Sequence, residues 1–186
     1  MKMSELADDP ILVRDRPTKT NTNPLWIGFT GTRNGMTPPQ KHRFVELIDA
    51  RLKLIPPRTL VNFVHGGAIG ADEEADELFS DIIYNNSMSY NIIVWPASEA
   101  RWRYWRKKHV THTIMPPEDP LVRNRKIVDQ VEQMYATPAE MSEVLRSGTW
   151  ATIRYTKSQD KALTIIFPDG SVREVLNSRD SKGLGA

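Results

Sequence analysis

A three-layer α/β fold wound around a mostly parallel sheet of about five to six strands is what this sequence of 186 residues predicts. Three observations carry the prediction. Short apolar runs alternate with longer segments whose apolar residues recur at helical spacing, the pattern of β-α-β units and hence of parallel pairing. Turn and breaker residues, Pro56-Pro57 and Pro168-Asp169-Gly170-Ser171 among them, fall between these segments. Two of the apolar runs end in glycine-rich turns, at Thr30-Gly31-Thr32-Arg33 and at His65-Gly66-Gly67-Ala68-Ile69-Gly70. Sheets of this Rossmann-like kind bind ligands at the carboxyl ends of their strands, which is where these glycines stand.

The elements follow in order. Leu25 to Thr30 is a short buried strand, and Thr37-Pro38-Pro39-Gln40 then opens a helix with a capping-box pair and proline at its first position. Phe44, Val45, Ile48, Leu52 and Ile55 give that helix its apolar stripe, and Pro56-Pro57 stops it. Leu60 to Val64 repeats the strand, and Ala71, Ala75, Leu78, Phe79 and Ile82 repeat the helical stripe. Asn91 to Trp95 is a third strand, Gln133 to Ala136 a fourth after a helix over Arg125 to Val131, and Leu163 to Phe167 a fifth after a helix from near Gly148. The Pro168 turn leads to a short closing strand. Residues 1–23 lack apolar periodicity and are expected to be a flexible arm, 24–174 one domain, and 175–186 a flexible tail.

Composition narrows the class. With 25 Lys and Arg against 23 Asp and Glu the net charge is only +2, too balanced to imply nucleic acid by itself. The absence of cysteine excludes disulfides, thiolate metal sites and a thiol nucleophile. No apolar run approaches the roughly 20 residues of a membrane span, and the Asp8-Asp9-Pro10 region lacks the apolar core of a signal peptide. A cytoplasmic protein without membrane contact, cofactor or metal is therefore expected.

Three motifs carry candidate chemistry. At Thr30-Gly31-Thr32-Arg33, the glycine admits an anion close to backbone N–H groups, the threonines supply hydroxyls and the arginine a planar fork for phosphate; an ordinary turn is the plain alternative. His65-Gly66-Gly67 through Gly70-Ala71-Asp72 opens a helix, but Asp72, Glu73 and Glu74 crowd its first turn and disfavour a diphosphate there. Asp72 suits ribose hydroxyls, or simply caps the helix. Ser147-Gly148-Thr149-Trp150-Ala151-Thr152 opens a helix without acids, the better phosphate cradle of the two. Between them, Arg123-Asn124-Arg125 precedes a helix that Asn124 could cap while the arginines reach a phosphate or face solvent.

A further segment, Arg101-Trp102-Arg103-Tyr104-Trp105-Arg106-Lys107-Lys108, interleaves cations with aromatics. Arg101, Trp102 and Trp105 suit a stacking lid over a ligand or a single-stranded DNA surface, and equally the buried face of an amphipathic helix. His109 and His112, three apart, are too sparse to predict a metal, with or without His65.

The motifs Phe29-Thr30-Gly31-Thr32-Arg33, His65-Gly66-Gly67 through Gly70-Ala71-Asp72, Arg123-Asn124-Arg125 with Ile127-Val128, and Ser147-Gly148-Thr149-Trp150-Ala151-Thr152 together resemble the SLOG superfamily. That group of Rossmann-like domains includes the core of DNA-processing protein A and the LOG nucleotide phosphoribohydrolases. The likeness spans residues 25 to about 170. It is similar in look to a subgroup common in bacteria and bacteriophages that shares the Phe-Thr-Gly-Thr-Arg start and a Gly-Thr-Trp-Ala-Thr helix. The resemblance implies a homo-oligomer with a pocket for a nucleotide or nucleotide-derived signal, cyclic or ADP-ribose-type. Its walls would be Thr30, Gly31, Thr32, Arg33, His65, Gly66, Gly67, Gly70, Asp72, Arg123, Asn124, Ser147, Gly148, Thr149 and Thr152, and the protein a sensor or sequestering protein. The Pro-Gly-Gly-x-Gly-Thr-x-x-Glu signature of the LOG enzymes is absent, so an N-glycosidase acting on a nucleoside monophosphate would need another carboxylate, Asp72, Glu73 or Glu74, with Asp72 and Glu73 the leading candidates. Single-stranded DNA binding is the third reading.

Overall fold

Why the strands form is visible in where their side chains go. In β1 (Leu25–Gly31), Leu25, Ile27 and Phe29 enter one apolar cluster while Trp26 joins a second on the opposite face, the period-two division of a strand buried on both sides. Phe63 of β2 (Val61–His65) enters the first cluster and Val64 the second. The computed structural model describes residues 23–99 and 112–178. Among these, the remaining elements are α1 (Pro38–Lys53), α2 (Ala71–Asn85), β3 (Tyr90–Val94), β4 (His112–Ile114), α3 (Pro120–Gln130), β5 (Gln133–Thr137), α4 (Gly148–Ser158), β6 (Ala162–Ile166) and β7 (Val172–Val175).

The sheet runs β4-β3-β2-β1-β5-β6-β7, parallel throughout except for β7, which is antiparallel to β6. Helices α1 and α2 cover one face, where Phe29, Phe44, Phe63 and Phe79 meet; Phe63 and Phe79 are stacked with centroids 4.2 Å apart. Helices α3 and α4 cover the other through Ile127, Val128, Trp150 and Ile153. This is the Rossmann-like, three-layer arrangement the sequence predicts. The order of strands reverses between β1 and β5, so the helices following these two strands leave on opposite faces and a crevice opens at their carboxyl ends. Among the described residues no helix is long and apolar enough to cross a membrane.

Three expectations need correction. The sheet has seven described strands because β4, only three residues with two of them exposed, has no apolar run to announce it and exists by pairing with Ile92 to Val94. Helix α3 begins at Pro120, five residues before Arg125, because Asp119 accepts from the Leu121 and Val122 N–H groups and Pro120 occupies the first position. Asn124 is therefore inside the helix and caps nothing. Strand β7 reaches Val175, one residue past the expected domain limit. The arm expected at the N-terminus falls, up to residue 22, outside the described residues, as do 179–186 of the expected tail.

The capping box at Thr37 and Gln40 forms, and Gln40 does more than cap. Its buried amide nitrogen donates to the carbonyls of Pro138 and Ile166, both at 2.9 Å, tying α1 to the ends of β5 and β6. Gln40→Leu strands both carbonyls, so unfolding free energy measured by urea titration is expected to fall by roughly 2–3 kcal/mol.

Candidate functional site

The crevice at the switch point is a cleft of about 370 Å³ whose walls come from all four glycine- and arginine-bearing motifs. From the end of β1 come Thr30 and Gly31, from the loop after it Thr32 and Arg33, from the β2 loop Gly66 and, at the start of α2, Asp72. From α3 come Arg123 and Asn124, and from the start of α4 Ser147, Gly148 and Thr149. The volume is within the roughly 300–1,000 Å³ of small-molecule sites.

Each wall is held by hydrogen bonds that leave polar atoms facing inward. The loop after β1 is pinned by the Thr32 N–H to the Thr137 carbonyl (3.2 Å) and by the Ala71 N–H to the Thr32 carbonyl (3.0 Å). Gly70, with φ of +90°, lies against it so closely that a Cβ would stand 2.3 Å from the Arg33 carbonyl oxygen. The loop after β2 is braced by Asp72, whose carboxylate accepts from the Ala68 N–H at 3.2 Å.

Arg123 crosses the floor, only 7% exposed. One terminal nitrogen donates to the Gly66 carbonyl and, at 3.1 Å, to the Trp95 carbonyl, while its Nε is buried with no hydrogen-bond partner among the described residues. A Cβ on Gly66 would overlap that guanidinium at 1.8 Å, so glycine there is a requirement of the arginine's position. Burial pushes the Arg123 pKa down; Asp72 opposes this and Arg33 adds to it.

At the α4 end, Ser147 accepts the Trp150 N–H as N-cap, and the first-turn N–H groups of Gly148 and Thr149 have no intrahelical carbonyl to serve them. Among the described residues nothing lies within 4 Å of a Cβ built on Gly148. Arg146, exposed beside it, adds a third arginine to the cleft.

Several expected wall residues stand elsewhere. His65 is fully buried beneath the loop, accepting the Gly67 N–H on Nδ1 at 3.1 Å and turning Nε2 toward Asp76 at 3.5 Å. Gly67 and Gly70 shape the loops without lining the cleft. The Thr152 hydroxyl donates to the Gly148 carbonyl at 3.1 Å and accepts from Asn124 at 2.9 Å, facing a neighbouring groove. Glu73 does not line the cleft, and Glu74 is engaged by the Met36 N–H and Lys41. Arg101, Trp102, Trp105 and His109 lie outside the described residues.

Sequence reasoning missed Arg146, the apolar wall of Pro120, Leu121 and Ile127, and a buried cluster beneath the β2 loop. In that cluster Asp76 is bonded to His112 Nε2 at 2.6 Å and faces His65. The signal for Asp76 was its place four residues after Asp72, on the same face of α2. His65 and His112, which sequence spacing kept apart, meet through this carboxylate. Among the described residues no group of three or more His, Asp or Glu side chains could hold a metal ion.

No protein-family model matches the chain, and none of the curated proteins does. Among solved structures the chain is similar to the crystal structure of TM1055, a structural-genomics target. The two are 13% identical with a TM-score of 0.49, the match covering 75% of this chain and 72% of that one.

Proposed function

We propose that the protein binds a nucleotide or nucleotide-derived signal in this cleft, as a sensor or sequestering protein, in keeping with the SLOG resemblance of its motifs. The observation that carries the reading is the convergence of cationic groups on one cleft. Arg33, Arg123, Arg146 and the α4 N-terminus line a cleft in which, among the described residues, Asp72 is the one carboxylate. An anion entering there offsets the buried Arg123 charge and takes the N–H groups of Gly148 and Thr149. The Pro120, Leu121 and Ile127 wall suits the flat apolar surface of a base, and Asp72 suits ribose hydroxyls.

The cleanest variant is Gly148→Val, because no described residue lies within 4 Å of the Cβ it introduces. Retention of nucleotides from a mixed pool, read by mass spectrometry, is expected for the wild type. The variant should lose at least about ten-fold in affinity for whichever nucleotide is retained, with an unchanged melting temperature. Full retention by the variant would remove the α4 end from the site.

A glycosidase is the second reading, favoured by the position of Asp72 in the cleft wall. It predicts free base appearing with time and disappearing in Asp72→Asn. The bond Asp72 already makes to the Ala68 N–H favours a supporting role, so intact ligand is the expected result.

A further inference from the structure

The cleft has an annex. Between the outer faces of α3 and α4 lies a groove of about 380 Å³, and Leu121 and Asn124 line both it and the cleft. The two hollows are therefore neighbours across one turn of α3. Their partition is made by side chains: the Asn124 amide donates to the Thr152 hydroxyl, which donates to the Gly148 carbonyl.

The annex is shaped for something flat. Leu121 and Ala151 give apolar walls, and the Tyr155 ring lies beside them with the Arg125 guanidinium 5.5 Å from its centroid. The Tyr155 hydroxyl is anchored by donating to Asp129 at 2.9 Å, which fixes the ring. A fixed aromatic ring and an arginine plane beside apolar surface form a platform on which a nucleobase stacks. Asn124 and Ser158 are within the same walls to meet the polar edge of a base. The α4 N-terminus and Arg146, where a phosphate is best held, belong to the cleft wall adjoining this groove.

We infer that the ligand has two nucleoside units joined through phosphate, one base in the cleft and the other in the α3–α4 groove. This rests on the nucleotide reading of the cleft and narrows it to dinucleotide-type molecules, linear or cyclic. A groove with the Arg125 guanidinium at its aromatic wall, adjoining a cleft lined by Arg33, Arg123 and Arg146, fits the second half of an anionic ligand better than it fits a helix of another protein.

Calorimetric titration of the full-length protein with 5′-mononucleotides and with linear and cyclic dinucleotides of the same bases tests this. Dinucleotides are expected to bind roughly ten- to hundred-fold more tightly, the worth of one additional stacked base. Tyr155→Ala and Ala151→Leu, on the outer face of α4, should each bring dinucleotide affinity down to that of the mononucleotide and leave mononucleotide binding unchanged. Equal affinity for both classes, with binding still lost in Gly148→Val, would overturn the two-unit inference and leave the cleft as a mononucleotide site. Failure of both classes to bind would overturn the cleft reading and this inference with it. A dimer in sedimentation that Tyr155→Ala dissociates, with dinucleotide affinity unaltered, would assign the groove to a second copy instead.

Discussion

Replacing Asp76 with asparagine should lower the unfolding free energy at neutral pH by about 3–5 kcal/mol, the loss expected when one partner of a buried charged network is neutralised. Asp76 is 4% exposed and is the acceptor on which His112 and His65 converge. Burial works to raise its pKa, yet the hydrogen bonds from His112 and His65, with their charges, outweigh it and hold the carboxyl far below its ordinary value. The sign of the pH effect follows. A carboxyl whose folded-state pKa is depressed contributes stability that is complete above the unfolded value near 3.8 and disappears as pH falls toward the folded one. The wild type should therefore lose stability steadily from about pH 5 downward. Asp76→Asn should flatten that slope. Urea titrations at a series of pH values decide it, and parallel slopes for the two proteins would show that the imidazoles do not hold the carboxylate ionised. Because His65 also accepts the Gly67 N–H, the same variant should loosen the loop that presents Gly66 to Arg123.

Arg123→Met should be almost as costly, roughly 3 kcal/mol, since the Gly66 and Trp95 carbonyls lose a charged donor in a buried place. Its second effect is the diagnostic one. Inorganic phosphate that occupies the cleft should raise the melting temperature of the wild type, because a ligand that binds only the folded state stabilises it by mass action. Without the buried guanidinium that response should fall to the small shift produced by chloride at equal ionic strength. A methionine variant that keeps the full phosphate response would show that the charge of Arg123 is not felt by the bound anion.

How much of this was legible from sequence depended on whether a signal was local. The Thr37–Gln40 cap, the proline after it and the helical stripe of Phe44, Ile48 and Leu52 are local, and the helix formed where they said. The Asp119-Pro120 start of α3 is equally local and was passed over, because exposed Leu121 and Val122 break the apolar stripe that Ile127 and Val128 continue. Strand β4 has no signal of its own, being defined by its neighbour β3. In the cleft, residues that end strands or open helices were readable, since topology brings such positions together. What could not be read was which way a side chain turns. His65 and Thr152 sit in the right motifs and point away from the cleft, one held under the loop by Gly67 and Asp76, the other bonded to its own helix.

The strand order also dictates a timetable. Strand β1 pairs on one side with β2, whose register begins at Leu25 and Val61, and on the other with β5, whose register begins at Ile27 and Gln133. A chain emerging from the ribosome can assemble β1, α1, β2 and α2, with the Phe44, Phe63 and Phe79 cluster between them, while the opposite edge of β1 waits for β5, which begins 48 residues after α2 ends. During that interval the most central strand of the finished sheet is an open edge, able to accept a wrong strand from the same nascent chain or another. Synthesis through residue 137 closes that edge, so truncation before β5 should convert a folding chain into an aggregating one.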